Sequence, residues 1–143
     1  MIDYKKQQNK IIDYINNNYP NYLSAHNINA PFLTTDYIDF DRFKNDFICF
    51  IEFDYSTFPN SKDDCGMNET SFINIYLTHR NNKPDNLNNL MLDSTSAFYE
   101  MFRDNYISGV FTQKINRVDF FKYIEGSNNI FCSKIVLELN LEI

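Results

Sequence analysis

Residues 127–143 read SNNIFCSKIVLELNLEI. From Phe131 the odd positions are Phe131, Ser133, Ile135, Leu137, Leu139, Leu141 and Ile143, and the even positions between them carry Lys134, Glu138, Asn140 and Glu142, with Val136 apolar. A period of two is the period of a strand, whose successive side chains point to opposite faces. One face of this strand is expected to be buried and the other wet, which places it in an antiparallel or mixed sheet covered on a single side. The last apolar residue is also the last residue, so the strand is expected to be built into the core.

Working back from this strand, VFTQKINRVDFFKYIEG reads as a strand that is irregular near Val118 to Phe121 and turns through GSNN into the final one. Asn105 to Gly109 ends the preceding element, NNKPDNLNNLMLDSTSAFYEMFRDNY, which has a helical period. Leu87, Leu90, Met91, Phe98, Met101 and Phe102 form its stripe, and Asp85 after Pro84 is placed to cap it. Two more strands come earlier. FICFIEFDYSTF puts Phe47, Cys49, Ile51, Phe53 and Tyr55 on one face, with Ile48 and Phe50 on the other, and is expected to be central. SFINIYLTHR sets Ile73, Ile75 and Leu77 inward against Asn74, Tyr76 and Thr78. With NSKDDCGMNET between them they make a hairpin with a long loop.

At the other end of the chain, Tyr4, Ile11, Ile12, Ile15 and Tyr19 recur at helical spacing, Asp3 is a cap, and NNNYP is expected to stop the helix. Residues 20–45 have no clean period and read as a connection with a short strand around Asp36 to Phe40. These elements define one α+β domain over residues 1–143, a mainly antiparallel sheet of four to five strands with helices on one face. An N-terminal helix and irregular connection (1–45) precede the sheet-and-helix core (45–143).

The composition is 43% hydrophobic and 17% aromatic, which excludes a disordered chain, and the net charge of −6 disfavours a protein that grips nucleic acid by neutralising phosphates. No stretch approaches the roughly 20 apolar residues of a membrane span, and MIDYKKQQNK lacks the apolar core of a secretory signal. Cys49, Cys65 and Cys132 show no paired spacing, so neither a disulfide framework nor a zinc site is expected; Cys49 and Cys132 read as small buried thiols and Cys65 as a loop residue.

Candidate chemistry is sparse. The two histidines, His26 and His79, lie in no nucleophilic motif; His26 reads as exposed and His79 as a structural or rim histidine. Asp36, Asp39 and Asp41, and again Asp63 and Asp64, cluster without the glycine and distal glutamate of a calcium loop. Three glycines leave no phosphate-cradling loop. No catalytic residue, cofactor or metal is therefore assigned, and an enzyme is not expected. Tyr22, Phe32, Tyr37, Phe40 and Phe43, in a stretch with little periodicity to bury them, and Tyr76, on the outer side of its strand, are candidate subunit contacts. The alternative is that the N-terminal helix and loop fold over the second sheet face and use the same aromatics as a satellite core.

The order helix, two long strands, a helix with PDNLNNLMLDSTSAFYEMFRDN, then ISGVFTQKINRVDFFKYIEGSNNIFCSKIVLELNLEI resembles the tail terminator or tail-completion proteins of tailed bacteriophages and related neck and ring proteins. It covers roughly residues 45–143 and leaves the first 45 outside. The resemblance implies a virion protein, made in the host cytoplasm, forming a homo-oligomeric ring, hexameric or higher, against tail-tube, portal or neck proteins. It also implies passive passage of DNA through an acidic lumen. A small binding or assembly-adaptor module would share this composition, and an unrecognised enzyme would need a pocket around His79 or around Asp36, Asp39 and Asp41.

Overall fold

In the computed structural model, which describes residues 3–38, 43–58, 68–81 and 86–142, the elements in chain order are α1 (Tyr4–Ser24), β1 (Phe32–Thr34), β2 (Phe47–Thr57), β3 (Asn68–Asn81), α2 (Leu87–Asp104), β4 (Val110–Glu125) and β5 (Asn128–Glu142). They build a five-stranded sheet in the order β1-β2-β3-β5-β4, antiparallel except for the β1–β2 pair. The α+β architecture and the single-sided helical cover agree with the sequence reading. The centre, however, is β3, flanked by β2 and β5; β2 has beyond it only three residues of β1.

The terminal strand follows its alternation. Ile135, Leu137, Leu139 and Leu141 are buried under the helices with Cys49, Ile51, Ile73, Ile75 and Leu77 of neighbouring strands. Above them lie Phe98, Met101 and Phe102 of α2 and Ile11, Ile15, Tyr19 and Leu23 of α1. Leu90, expected in that row, is half-buried at the rim of a groove near His79. The polar inward position, Ser133, is met by Thr95, whose Oγ1 lies 2.8 Å from Ser133 Oγ and 2.6 Å from the Met91 carbonyl oxygen. A buried hydroxyl satisfied in this way avoids the desolvation cost of an orphan.

Both helices sit on the same face, so α1 does not cover the second face as the satellite-core alternative had it. Asp3 caps α1 as expected, its Oδ1 accepting from the Lys6 N–H at 3.1 Å. The helix does not stop at Pro20 but runs through it to Ser24. A proline in a helix interior costs about 3 kcal/mol, while fully burying Tyr19 and Leu23 against the core is worth roughly 2–3 kcal/mol each; both are 0% exposed. Tertiary burial wins over the local stop signal. Pro20→Ala, which restores the missing N–H, should raise stability by about 2 kcal/mol in a urea titration; a loss would contradict a continuous helix here.

Other local departures have similar causes. The short strand is Phe32–Thr34 rather than Asp36 to Phe40, of which Asp39 and Phe40 lie outside the described residues. A bulge between Phe53 and Tyr55 turns Tyr55 to the second face, opposite Phe72, away from Phe47, Cys49, Ile51 and Phe53. The N-cap of α2 is Asn86 in a left-handed conformation without a side-chain cap, and Asp85 lies outside the described residues. In β4 the irregularities fall at Val110/Thr112 and Ile115/Arg117, so Val118 to Phe121 pairs without interruption. Gly126, at φ +60°, opens the two-residue turn that joins β4 to β5, the turn geometry that glycine at the first central position favours.

Candidate assembly surface

The second face of the sheet is a mixture of buried apolar residues and an aromatic ladder. Ile48 and Ile130 are fully buried there, and Asn74 and Thr78, expected outward, are 2% exposed. Phe50, on the face away from the helices, is buried as well: its ring stacks on Tyr76 across the strands at 5.5 Å and meets Tyr37 at 5.9 Å. Further along the same strand pair Tyr55 stacks on Phe72 at 4.4 Å. Lys134 Nζ stands 5.8 Å over the Tyr76 ring, whose hydroxyl donates to Glu52 Oε1 at 3.3 Å, the oxygen that also accepts from Asn74 Nδ2. Burial, followed by the nearby Glu52 charge, raises the Tyr76 phenol to about 12.

The candidate contact residues separate into three places. Tyr37 and Tyr76 belong to this aromatic face, with Tyr37 83% exposed. Phe32 and Phe43 pair at 5.2 Å at the β1 edge. Tyr22 lies between the helices, donating to Asp104 Oδ2 at 3.3 Å and accepting from Asn105 Nδ2 at 3.0 Å, a contact within the chain. Phe40 is outside the described residues.

A further apolar surface among the described residues, not expected from the sequence, lies along β4. Phe111, Phe120, Phe121, Tyr123 and Ile124 are all exposed along this 16-residue edge strand. A long edge strand carrying exposed aromatics leaves both unpaired backbone groups and apolar side chains open to contact. Its signal was present in VDFFKYIE: apolar residues occupy both parities, which a strand with one wet face would not need.

His79 is buried within a different constellation. Its ring stacks on Phe47 at 4.1 Å and Nε2 lies 2.8 Å from Ser94 Oγ, while the Ser94 carbonyl accepts from Tyr19 Oη at 2.7 Å. Desolvation lowers the imidazole to about 4, so it is neutral at pH 7. Ser94 is 0% exposed and its hydroxyl also lies 3.1 Å from the Met91 carbonyl oxygen. The pair therefore braces α1 and α2 onto β3 rather than presenting a nucleophile to solvent. A groove of about 380 Å³ beside it is lined by Asn27, Asn45, Asp46, Arg80 and Leu90 as well as His79.

His26, expected in solvent, is half-buried, with Nδ1 3.9 Å from Asp93 Oδ1. Cys49 and Cys132 are buried thiols, both raised by desolvation, Cys49 to about 12; Cys65 lies outside the described residues. Asp36 is exposed, whereas Asp39, Asp41, Asp63 and Asp64 lie outside the described residues. Among the described residues no three His, Cys, Asp or Glu side chains converge on a metal-sized site, and no helix is long and apolar enough to cross a membrane. A second groove, of about 620 Å³ and mostly apolar, lies between the start of α1 and the end of β2, lined by Tyr4, Lys5, Phe53, Tyr55 and Phe58.

No protein-family model matches this chain, and no curated protein matches it.

Proposed function

We propose that the chain is a structural virion protein of a tailed bacteriophage, a ring-forming subunit at the head-tail or tail-terminating junction around the DNA channel. The observation that carries this reading is the amount of aromatic surface that one copy leaves open: Tyr37 on the second face, Phe32 at the β1 edge, and the exposed residues of β4. A subunit whose contacts are completed only by neighbours has this distribution. The acidic balance, −6 overall, suits a channel through which DNA slides without adhering. The family resemblance supplies the ring and its place in the particle.

Imaging of assembled particles tests the proposal: a closed ring of this chain, sixfold by the resemblance, should lie at the junction, with Tyr37 and Phe32 covered between neighbours. Duplex DNA should not be retained by the free subunit near physiological salt. Absence from the particle, or tight salt-sensitive DNA binding by the purified chain, would overturn it. The apolar 620 Å³ groove favours a second reading, a small binding or assembly-adaptor module. That reading predicts a monomer or dimer that is never part of a particle.

A further inference from the structure

The β4 edge carries its own pairing information. Its only hydrogen-bonded neighbour among the described residues is β5, and both register shifts fall before Arg117. From Arg117 to Glu125 the strand is regular for nine residues, long enough to extend the sheet on its open side. A bulge disfavours edge-to-edge pairing, so the contact is confined to this half.

We infer that this half of β4 pairs antiparallel with the same segment of a second copy of the chain, across a two-fold axis normal to the sheet at Phe121. Such an axis keeps the helical face of both sheets on the same side, so directly opposed residues must share a face. Centring on Phe121 alone keeps the whole contact within Arg117 to Glu125. It opposes Arg117 to Glu125 of the other copy twice, stacks Phe121 on Phe121, lays Lys122 against Phe120 and sets Val118 on Ile124. Shifting the centre to Asp119 or to Lys122 brings like charges face to face, and centring on Phe120 forms no ion pair.

The side chains involved are available. Phe120, Phe121 and Tyr123 are close to half exposed and Ile124 is 73% exposed. Arg117 is open to solvent, with its Nε on Asp119 Oδ2 at 3.0 Å, so the other guanidinium donors can reach across the axis. Coverage of four half-open apolar side chains per copy falls at the small end of specific interfaces, so the pair forms reversibly and depends on concentration. It does not rest on the virion reading. A two-fold contact closes at two, and a ring would need the separate surface around Phe32, Tyr37, Phe43 and Tyr76.

Sedimentation across a concentration series should show a monomer–dimer equilibrium. Arg117→Glu or Glu125→Arg alone should weaken it about tenfold, and the two together should restore it, because each reversed charge then meets its opposite. In a Cys65→Ser, Cys132→Ser background, which removes the free thiol that opposes Phe121 within the same chain, Phe121→Cys should form an intermolecular disulfide under mild oxidation, since opposed strand residues bring their Cβ atoms within about 5 Å. Tyr123→Cys, four residues from its own copy, should not. A monomer at every concentration, a dimer in which the double reversal is no better than either single one, or a larger oligomer that leaves Cys at 121 unlinked would overturn the inference. The last of these would leave the ring reading standing.

Discussion

Leu139→Asp is expected to remove most or all of the folded population at room temperature, whereas Glu138→Lys, one residue away, should cost about 1 kcal/mol. Leu139 is 0% exposed in the middle of the core, among Ile73, Leu137 and Leu141 on the sheet and Phe98 and Met101 above. Replacing it forfeits about 2–3 kcal/mol of apolar burial. It also places a carboxylate between Ser71 and Gln113, the cross-strand neighbours of Leu139, whose side chains already hydrogen-bond Ser56 and the backbone after α2, at a further cost of several kcal/mol even after the group takes up a proton. Total stabilities are roughly 5–15 kcal/mol, so the sum is a large part of the whole. Glu138 points to the other face, half-buried, with Oε2 3.1 Å from Lys114 Nζ. Its reversal replaces a surface ion pair by a like-charge contact, a small term. Chemical denaturation of the two variants reads the difference directly; equal midpoints would mean that β5 is out by one residue.

Acid should destabilise the domain through His79. At pH 7 and above the imidazole is neutral in both folded and unfolded chains, so it contributes no pH dependence. Between its unfolded value of 6.5 and its folded value of about 4, the unfolded chain takes up a proton that the folded one excludes, and stability falls. Below that window both states bind the proton and the loss stops. The linkage relation puts the full effect at about 3 kcal/mol. His79→Phe keeps the stacking on Phe47 and removes the titrating group, and the Ser94 hydroxyl retains the Met91 carbonyl. Comparing the two proteins from pH 7 to 4 separates this residue from the carboxylates, which both share. Parallel curves would place the imidazole in solvent.

The contrast between β5 and α1 shows which parts of the fold a local pattern can carry. In β5 the inward positions from Ile135 to Leu141 agree with one another, so the period alone places the strand and its buried face. In α1 the proline rule and the burial of Tyr19 and Leu23 disagree, and only the packed structure shows which term is larger. β1 was misplaced because three residues beside β2 take their conformation from that neighbour rather than from a period of their own. The bulge at Phe53/Tyr55 is invisible in FICFIEFDYST, since the alternation continues in the sequence while the strand turns over in space.

The candidate surface was less legible than the fold. Composition marked residues 20–45 as rich in aromatics without a partner, yet Tyr22 is held between the helices by Asp104 and Asn105, and Phe43 leans on Phe32. Tyr37 stands out as expected, but Phe50 beneath it is covered. The exposed apolar surface of β4 escaped notice because Phe120, Phe121, Tyr123 and Ile124 have the same composition as a buried strand. What exposes them is position at the end of the strand order, which follows from β3 pairing with β5 rather than with β4. Sequence periodicity reports a face; it does not report an edge.

The central claim is that this chain works by assembling with copies of itself, and native mass measurement over a range of protein concentration tests it most directly. The account predicts a 17.0 kDa species at high dilution that gives way to whole-number multiples as concentration rises, with the open aromatics losing solvent exposure in the larger species. A single 17.0 kDa species at every concentration, with Phe121, Tyr123 and Tyr37 equally accessible throughout, would contradict it.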